Sequence, residues 1–371
     1  MIMKNRQSNF ELLKVISMIL IIMFHYVYKS GYNYDGLNLN SFIVKFFYYF
    51  GELGVNLFIL ITGYFMIKSK FSFKKLVLLI TSVNFYYLLS VVIGYYLKID
   101  YFDFTFKNIV LSFFSCIFNR YWFITAYLII YIFSPYINKF IKSISKNQLK
   151  KFLLISLLIW SIIPTFFGLV YNSSETLLYY SRLIWLLVMY FVGAYIRLYS
   201  LNYYNSNKRI IKTIIICLLV LIVSIIIISK YINVFKKIGT TEVAYLWTPN
   251  NIVMFILSIS IFGLFMKLEI KSNLIINALA STTLGIYMIH DGLLNKFIWK
   301  NIFNTFDKLN SNYLLFYIII DSAIIFLVCF LFEFIRKQVE KITISKLLDY
   351  ISKSSSISKI NRKTNNMIKK I

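Results

Sequence analysis

Cysteine is scarce in this 371-residue sequence, which has only Cys116, Cys217 and Cys329, each alone inside or beside an apolar run. That spacing argues against a disulfide framework and a zinc site. Gly-Lys-Ser/Thr phosphate loops and His-rich metal motifs are absent. Gly51 and Gly63 do not follow a strand, so a dinucleotide-binding loop is excluded. Close helix packing is the ordinary interpretation of these glycines.

Acidic residues are also few, 14 against 40 lysines and arginines, which leaves a formal net charge of +26. The lysines stand in short clusters between apolar runs rather than on an amphipathic face or in a recognisable motif. This arrangement argues against a nucleic-acid partner. It is typical of the basic loops that set the orientation of a membrane protein.

Apolar residues are abundant: 59% of the residues are hydrophobic and 19% aromatic, and the mean hydropathy is +0.72. Apolar runs recur up to Phe334 and leave no segment for a separate water-soluble domain. We therefore predict an all-α, polytopic membrane protein with a bundle of about ten transmembrane helices. The predicted helices are Leu12–Lys29, Phe42–Ile67, Leu76–Tyr96, Tyr121–Ile137, Phe152–Val170, Leu183–Leu198, Ile214–Ile228, Ile252–Met266, Leu274–Leu294 and Tyr313–Phe334.

The distribution of basic loops predicts the topology. Loops on one side carry most of the lysines and arginines, which places both termini in the cytoplasm. Residues 1–340 are predicted to form one membrane domain in the bilayer, and residues 341–371 a basic, mobile cytoplasmic tail. The short run Ile109–Phe118 is too brief to span and predicts a re-entrant or interfacial piece, or an extension of the fourth helix.

The sequence has only two histidines, His25 and His290, and both fall in predicted spans that run outward. They should lie at similar depth and can share one site. Lys14 precedes His25 by eleven residues, close to three helical turns, so both project from one face about 16 Å apart. The alternative is a purely structural role for both residues, in which Lys14 is an interfacial anchor and His25 forms a structural hydrogen bond.

Other ionisable residues extend this candidate site. Glu52 begins the second helix at a depth where its carboxylate can fix the tautomer of His25 and support the imidazolium. Arg120 and Arg182 open two further helices and can bind an anionic or hydroxylated acceptor, although each alone is more often an interfacial anchor. Asp321 lies inside the last span and should face the bundle, with no role assigned.

Four segments together resemble the integral membrane acyltransferase family 3, which includes bacterial O-acetyltransferases of surface polysaccharides. The first is the segment from Glu11 that carries Lys14 and His25, similar to the family's pattern of a basic residue, a ten-residue spacer and a histidine. Lysine stands here where the family usually has arginine, which keeps the charge but loses the planar guanidinium. The other segments are Gly51–Tyr64, Tyr121–Asn138 and Ser281–His290.

The resemblance implies a function as well as a fold. It implies that the donor is an acyl-CoA, acetyl-CoA by analogy, and that the protein has no bound cofactor and no metal. The acceptor would be a glycan, either a cell-envelope polysaccharide or a glycan on a lipid carrier. Lys14, with Lys68 and Lys70, would bind the phosphates of CoA. His25 would be the general base, with Glu52 and His290 as further catalytic residues. The acceptor would contact Arg120, Trp122, Arg182 and Tyr287, where Tyr287 or His290 holds the acceptor or polarises the carbonyl.

The resemblance also implies a location in the bacterial cytoplasmic membrane. The rival hypothesis is a polysaccharide exporter or polymerase without acyl chemistry, because such proteins also have ten or more spans with basic and aromatic lining. The acceptor sugar, the route of the acyl group and the oligomeric state stay open.

Overall fold

The structure, a computed structural model, describes residues 7–31, 38–99, 110, 121–167, 181–200, 202–231 and 248–353. Arg120, the run Ile109–Phe118 except Val110, and residues 354–371 of the predicted tail lie outside the described residues. The described chain is all-helical. The main helices are α1 (Ser8–Lys29), α2 (Leu39–Met66), α3 (Phe73–Tyr96), α4 (Trp122–Ser143), α5 (Lys146–Leu157), α6 (Arg182–Tyr199), α7 (Asn207–Lys230), α8 (Ile252–Lys267), α9 (Leu274–Ser281), α10 (Thr283–His290), α11 (Leu314–Ile342) and α12 (Ile344–Lys353).

Eight of the described helical segments are long and apolar enough to cross a membrane, which confirms a multi-pass membrane protein. They comprise α1 to α4, the segment Lys146–Phe166 that begins with α5, α6, α7, and Leu314–Ile351. The predicted eighth span is present as α8, a shorter apolar helix. Large apolar side chains along α7 and α11 are exposed, as expected for surfaces that face lipid.

The predicted ninth span, Leu274–Leu294, is not one continuous helix. It consists of α9 and α10, which are separated at Thr282 and end at His290. Hydroxyl side chains cluster at this break. Three successive hydroxyl side chains, those of Ser281, Thr282 and Thr283, each donate a hydrogen bond to the carbonyl three residues earlier. Such back-bonding competes with the regular helical ladder.

Helix α2 stands at the centre of the bundle, with α1 on one side and α6 on another. Gly63 allows the close approach to α6, because a Cβ at this position would collide with the backbone carbonyl of Tyr190. The glycines of this segment therefore serve helix packing. Asp321 on α11 is 6% exposed and faces the bundle as predicted. Its Oδ2 lies 2.7 Å from Nζ of Lys308.

The end of the chain is helical as far as Lys353. Helix α12 follows α11 after a break at Thr343, and its Asp349 lies 2.6 Å from Nζ of Lys74 at the start of α3. The first part of the predicted tail is thus a helix that contacts the bundle.

Candidate active site

One large cavity of about 820 Å³ runs between α1, α2, α4, α6 and the broken pair α9 and α10. It reaches from Lys14, Lys70 and Lys75 at one end to Glu52 and Arg182 at the other. His25 lies on its wall. The predicted alignment of Lys14 and His25 on one face of the first helix is therefore observed, since both line the same space.

His25 and His290 meet inside this region, as predicted from their depth. Nδ1 of His25 lies 2.9 Å from Nε2 of His290. His290 is fully buried and is not on the cavity wall, whereas His25, at 6% exposed, is. His290 therefore lies behind His25 rather than at the cavity surface.

The hydrogen bonds define the tautomers of the neutral pair. Nδ1 of His290 lies 2.6 Å from the carbonyl oxygen of Ile286. A carbonyl only accepts, so Nδ1 of His290 carries the proton and Nε2 must accept. His25 then donates to His290 through its own Nδ1–H. The free lone pair of His25 is consequently on Nε2, which is the nitrogen that can take a proton.

Asp291 is the carboxylate beside that nitrogen. Its Oδ2 lies 3.4 Å from Nε2 of His25, and its Oδ1 lies 3.4 Å from Nζ of Lys29. Glu52, which we predicted for this role, lines the same cavity but has no hydrogen bond or ion pair to His25 in the described chain. Helix α10 ends at His290, and Asp291 follows directly at the helix end, where its carboxylate reaches His25.

Sequence reasoning missed both Asp291 and Lys29. Lys29 stands four residues after His25 on α1, a spacing that puts both on one helical face. Asp291 is the immediate neighbour of His290 in the sequence. Each spacing could have indicated that the residue lies near a histidine. Only the packing of α1 against α10 shows that Lys29 and Asp291 lie together beside His25.

The lysine end of the cavity is basic. Lys14 pairs with Glu11 at 3.0 Å, while Lys70 and Lys75 are exposed residues of the lining. Lys75 was not predicted. Lys68, which was predicted to join this group, is exposed and does not line the cavity. Lys68 lies in the turn after α2, two residues before Lys70 in the sequence, and Lys70 does line the cavity.

The opposite end has balanced charge and is rich in aromatic residues. The guanidinium carbon of Arg182 lies 4.4 Å from the centre of the Trp122 ring. Glu52, Tyr28 and Tyr48 line the same region. Stacking on Trp122 orients the guanidinium while leaving its N–H groups available to a ligand.

Tyr287 lies between the two ends. It is 5% exposed, lines the cavity, and its ring centre is 6.4 Å from that of His25. Its hydroxyl makes no hydrogen bond within the described part of the chain. Tyr287, His290 and Asp291 share one face of α10, so a single short helix carries the groups that surround His25. The residues that the structure describes contain no group of three or more side chains suited to hold a metal ion.

Comparison with known proteins gives one match. The model of a family described as an acyltransferase domain matches residues 7–334, nearly the whole chain and the whole cavity. No curated protein and no solved structure gives a significant match.

Proposed function

Because the chain belongs to the acyltransferase 3 family of integral membrane acyltransferases, we propose that it transfers an acyl group, acetyl in our proposal, from acyl-CoA to a hydroxyl of a cell-envelope glycan. The acceptor in this proposal is a polysaccharide or a lipid-linked glycan. The enzyme works in the bacterial cytoplasmic membrane with both termini in the cytoplasm. The rival exporter or polymerase hypothesis has no support from the family match.

The observation that carries the proposal is the single cavity that joins Lys14, Lys70 and Lys75 to His25. A donor that enters at the lysine end has a route to the imidazole without crossing lipid. Positive-inside topology puts this end at the cytoplasm, where acyl-CoA is made. The volume of about 820 Å³ suits a ligand of substantial size.

Charge separates the two ends of the cavity. The cytoplasmic end has three lysines and one carboxylate, that of Glu11, so its net charge is positive. A positive charge suits the phosphates of CoA. At the other end Arg182 and Lys29 are balanced by Glu52 and Asp291, among aromatic side chains. A balanced, aromatic and hydrogen-bonding surface suits a polyhydroxylated sugar. The donor therefore enters from the lysine end and the acceptor from the Arg182 end.

The chemistry follows from the tautomers. The acceptor hydroxyl attacks the thioester carbonyl carbon while its proton passes to Nε2 of His25. The new C–O ester bond forms, the C–S bond breaks, and the thiolate of CoA takes the proton back from the imidazolium. No covalent acyl-enzyme is required. Replacement of a positioned base typically costs about 10²- to 10⁴-fold in rate.

Two neighbours assist this step in the proposal. The carboxylate of Asp291 lies against Nε2 of His25 and stabilises the positive charge that the imidazole acquires. The hydroxyl of Tyr287 donates a hydrogen bond to the carbonyl oxygen as negative charge develops there. His290 holds the imidazole in the required tautomer rather than touching substrate.

The test is the ester content of the glycan. Membranes with the wild-type protein and membranes with His25→Ala at equal level are supplied with acyl-CoA carrying an isotopically labelled acyl group. Mass spectrometry should find labelled ester on the glycan only with the wild type. Labelled ester at the wild-type level with His25→Ala would remove His25 from the mechanism. A shortened glycan with unchanged ester content in cells that lack the protein would favour an exporter or polymerase.

A further inference from the structure

A cluster of buried and half-buried charges lies outside the cavity wall, between α3 and α11. Arg336 donates from Nε and Nη2 to Glu333 at 2.6 and 2.9 Å, and from Nη1 to Glu340 at 2.5 Å. Tyr86 donates to Glu333, and Ser82 donates to Glu340. We call these five residues the α11 cluster. Glu333 is only 1% exposed, and charges buried at this cost usually have a specific task.

The α11 cluster packs directly against α10. A Cβ at Gly285 would occupy the space of the carboxyl group of Glu333. Tyr86 and Arg336 hold that carboxylate, so it cannot move aside cheaply. Glycine at this position therefore allows α10 to lie against the cluster at close range.

Lys337 contacts the chain just before α10. Its ammonium donates to the backbone carbonyl of Ser281, at the break between α9 and α10. A helix break frees carbonyls from the regular ladder, and each needs another donor. Thr283 supplies one for the carbonyl of Ala280, and Lys337 supplies one for Ser281.

Helix α10 needs such support because it has only eight residues. A helix this short is marginal by itself and takes its position from its neighbours. It carries His290 and Asp291, the two residues that meet the nitrogens of His25. A small rotation or slide of α10 would move both together.

We propose that Lys337 and the α11 cluster are positioning residues: they set the height and rotation of α10 and so the orientation in which His290 and Asp291 hold His25. The kinetic consequence of this placement rests on the proposed function, whereas its geometric consequence does not. Misplacement of reacting groups by about 1 Å can cost about a hundredfold in rate.

The presence of only two histidines makes the geometric test direct. Full-length protein labelled with ¹⁵N-histidine in lipid nanodiscs should give signals from two imidazoles, both with the proton on Nδ1. Lys337→Met should shift or broaden both sets of signals, and Lys337→Arg should restore them. Lys341→Met, an exposed lysine one turn later on α11, is the matched control and should leave the spectrum as in the wild type.

Gly285→Ala is a second variant that displaces α10 without changing any charge. It should alter the same signals, so the test does not depend on whether Lys337→Met folds. In the transfer assay both variants should lower kcat about tenfold or more, with the KM for acyl-CoA unchanged, because Lys14, Lys70 and Lys75 are untouched. Wild-type histidine signals in a folded Lys337→Met and in Gly285→Ala would overturn the proposal. A wild-type protein without transfer activity would overturn the proposed function instead, and the spectra would still decide the positioning role.

Discussion

Nδ1 of His25 on α1 lies 2.9 Å from Nε2 of His290 at the end of α10, although 265 residues separate them in the sequence. Ile286 orients the second imidazole through its carbonyl, and the second imidazole orients the first. The chain of contacts leaves one basic nitrogen, Nε2 of His25, at the wall of the cavity that also contains Lys14 and Arg182.

Removing His290 should impair catalysis without weakening donor binding. In His290→Ala the Nδ1–H of His25 loses its acceptor, so the ring can rotate and exchange tautomers. We expect kcat to fall by about tenfold to a hundredfold while the KM for acyl-CoA stays the same. Steady-state kinetics on purified protein checks this. An unchanged kcat would show that His25 needs no fixed partner.

Asp291→Asn should lower kcat because the amide keeps the shape of the carboxylate but not its charge. The imidazolium that forms on His25 would lose its counter-charge at 3.4 Å, and we expect a loss of about tenfold or more. Glu52→Gln is the comparison, since Glu52 lines the same cavity but makes no ion pair with His25 in the described chain. It should change the KM for the acceptor more than kcat with saturating acceptor. Equal losses of kcat in both variants would contradict the assignment of Asp291.

The lysines at the cavity mouth should act on donor affinity. Lys70→Ala and Lys75→Ala should each raise the KM for acyl-CoA about three- to fivefold, because an exposed charge contact contributes up to about 1 kcal/mol. The effect should shrink as salt concentration rises. Lys68→Ala is a matched control, since Lys68 is exposed outside the cavity. A rise in KM with Lys68→Ala as large as with Lys70→Ala would contradict this arrangement.

The pair Lys308–Asp321 should contribute to stability rather than to catalysis. Lys308→Met leaves the carboxylate of Asp321 buried without its partner, which should destabilise the protein by about 1–3 kcal/mol. The double variant Lys308→Met with Asp321→Leu should recover most of the loss. Thermal unfolding in detergent measures both. Equal stability of the single and double variants would show that the pair is not coupled.

The prediction of a single helix over Leu274–Leu294 was wrong, since the structure has a break at Thr282. Hydropathy does not separate a straight span from a broken one, because Ser281, Thr282 and Thr283 interrupt the apolar run without adding charge. Each of their hydroxyls donates a hydrogen bond to the carbonyl three residues earlier. Depth alone also did not reveal that Asp291, rather than Glu52, lies beside His25, because both carboxylates line the same cavity. The resemblance implied a role for both Lys68 and Lys70, and only the packing of the turn after α2 shows that Lys70 lines the cavity.

The sequence by itself determined the membrane class, most of the helices, and the alignment of Lys14 with His25 on α1. These follow from local rules, since apolar run length sets a span and a period of 3.6 residues sets a face. Tertiary structure decided that Asp291 faces His25, that Lys75 rather than Lys68 joins the cavity, and that Lys337 meets the broken helix. Those relations join helices far apart in the chain, where side-chain shape and the need to satisfy each buried polar group choose among arrangements that no local pattern distinguishes.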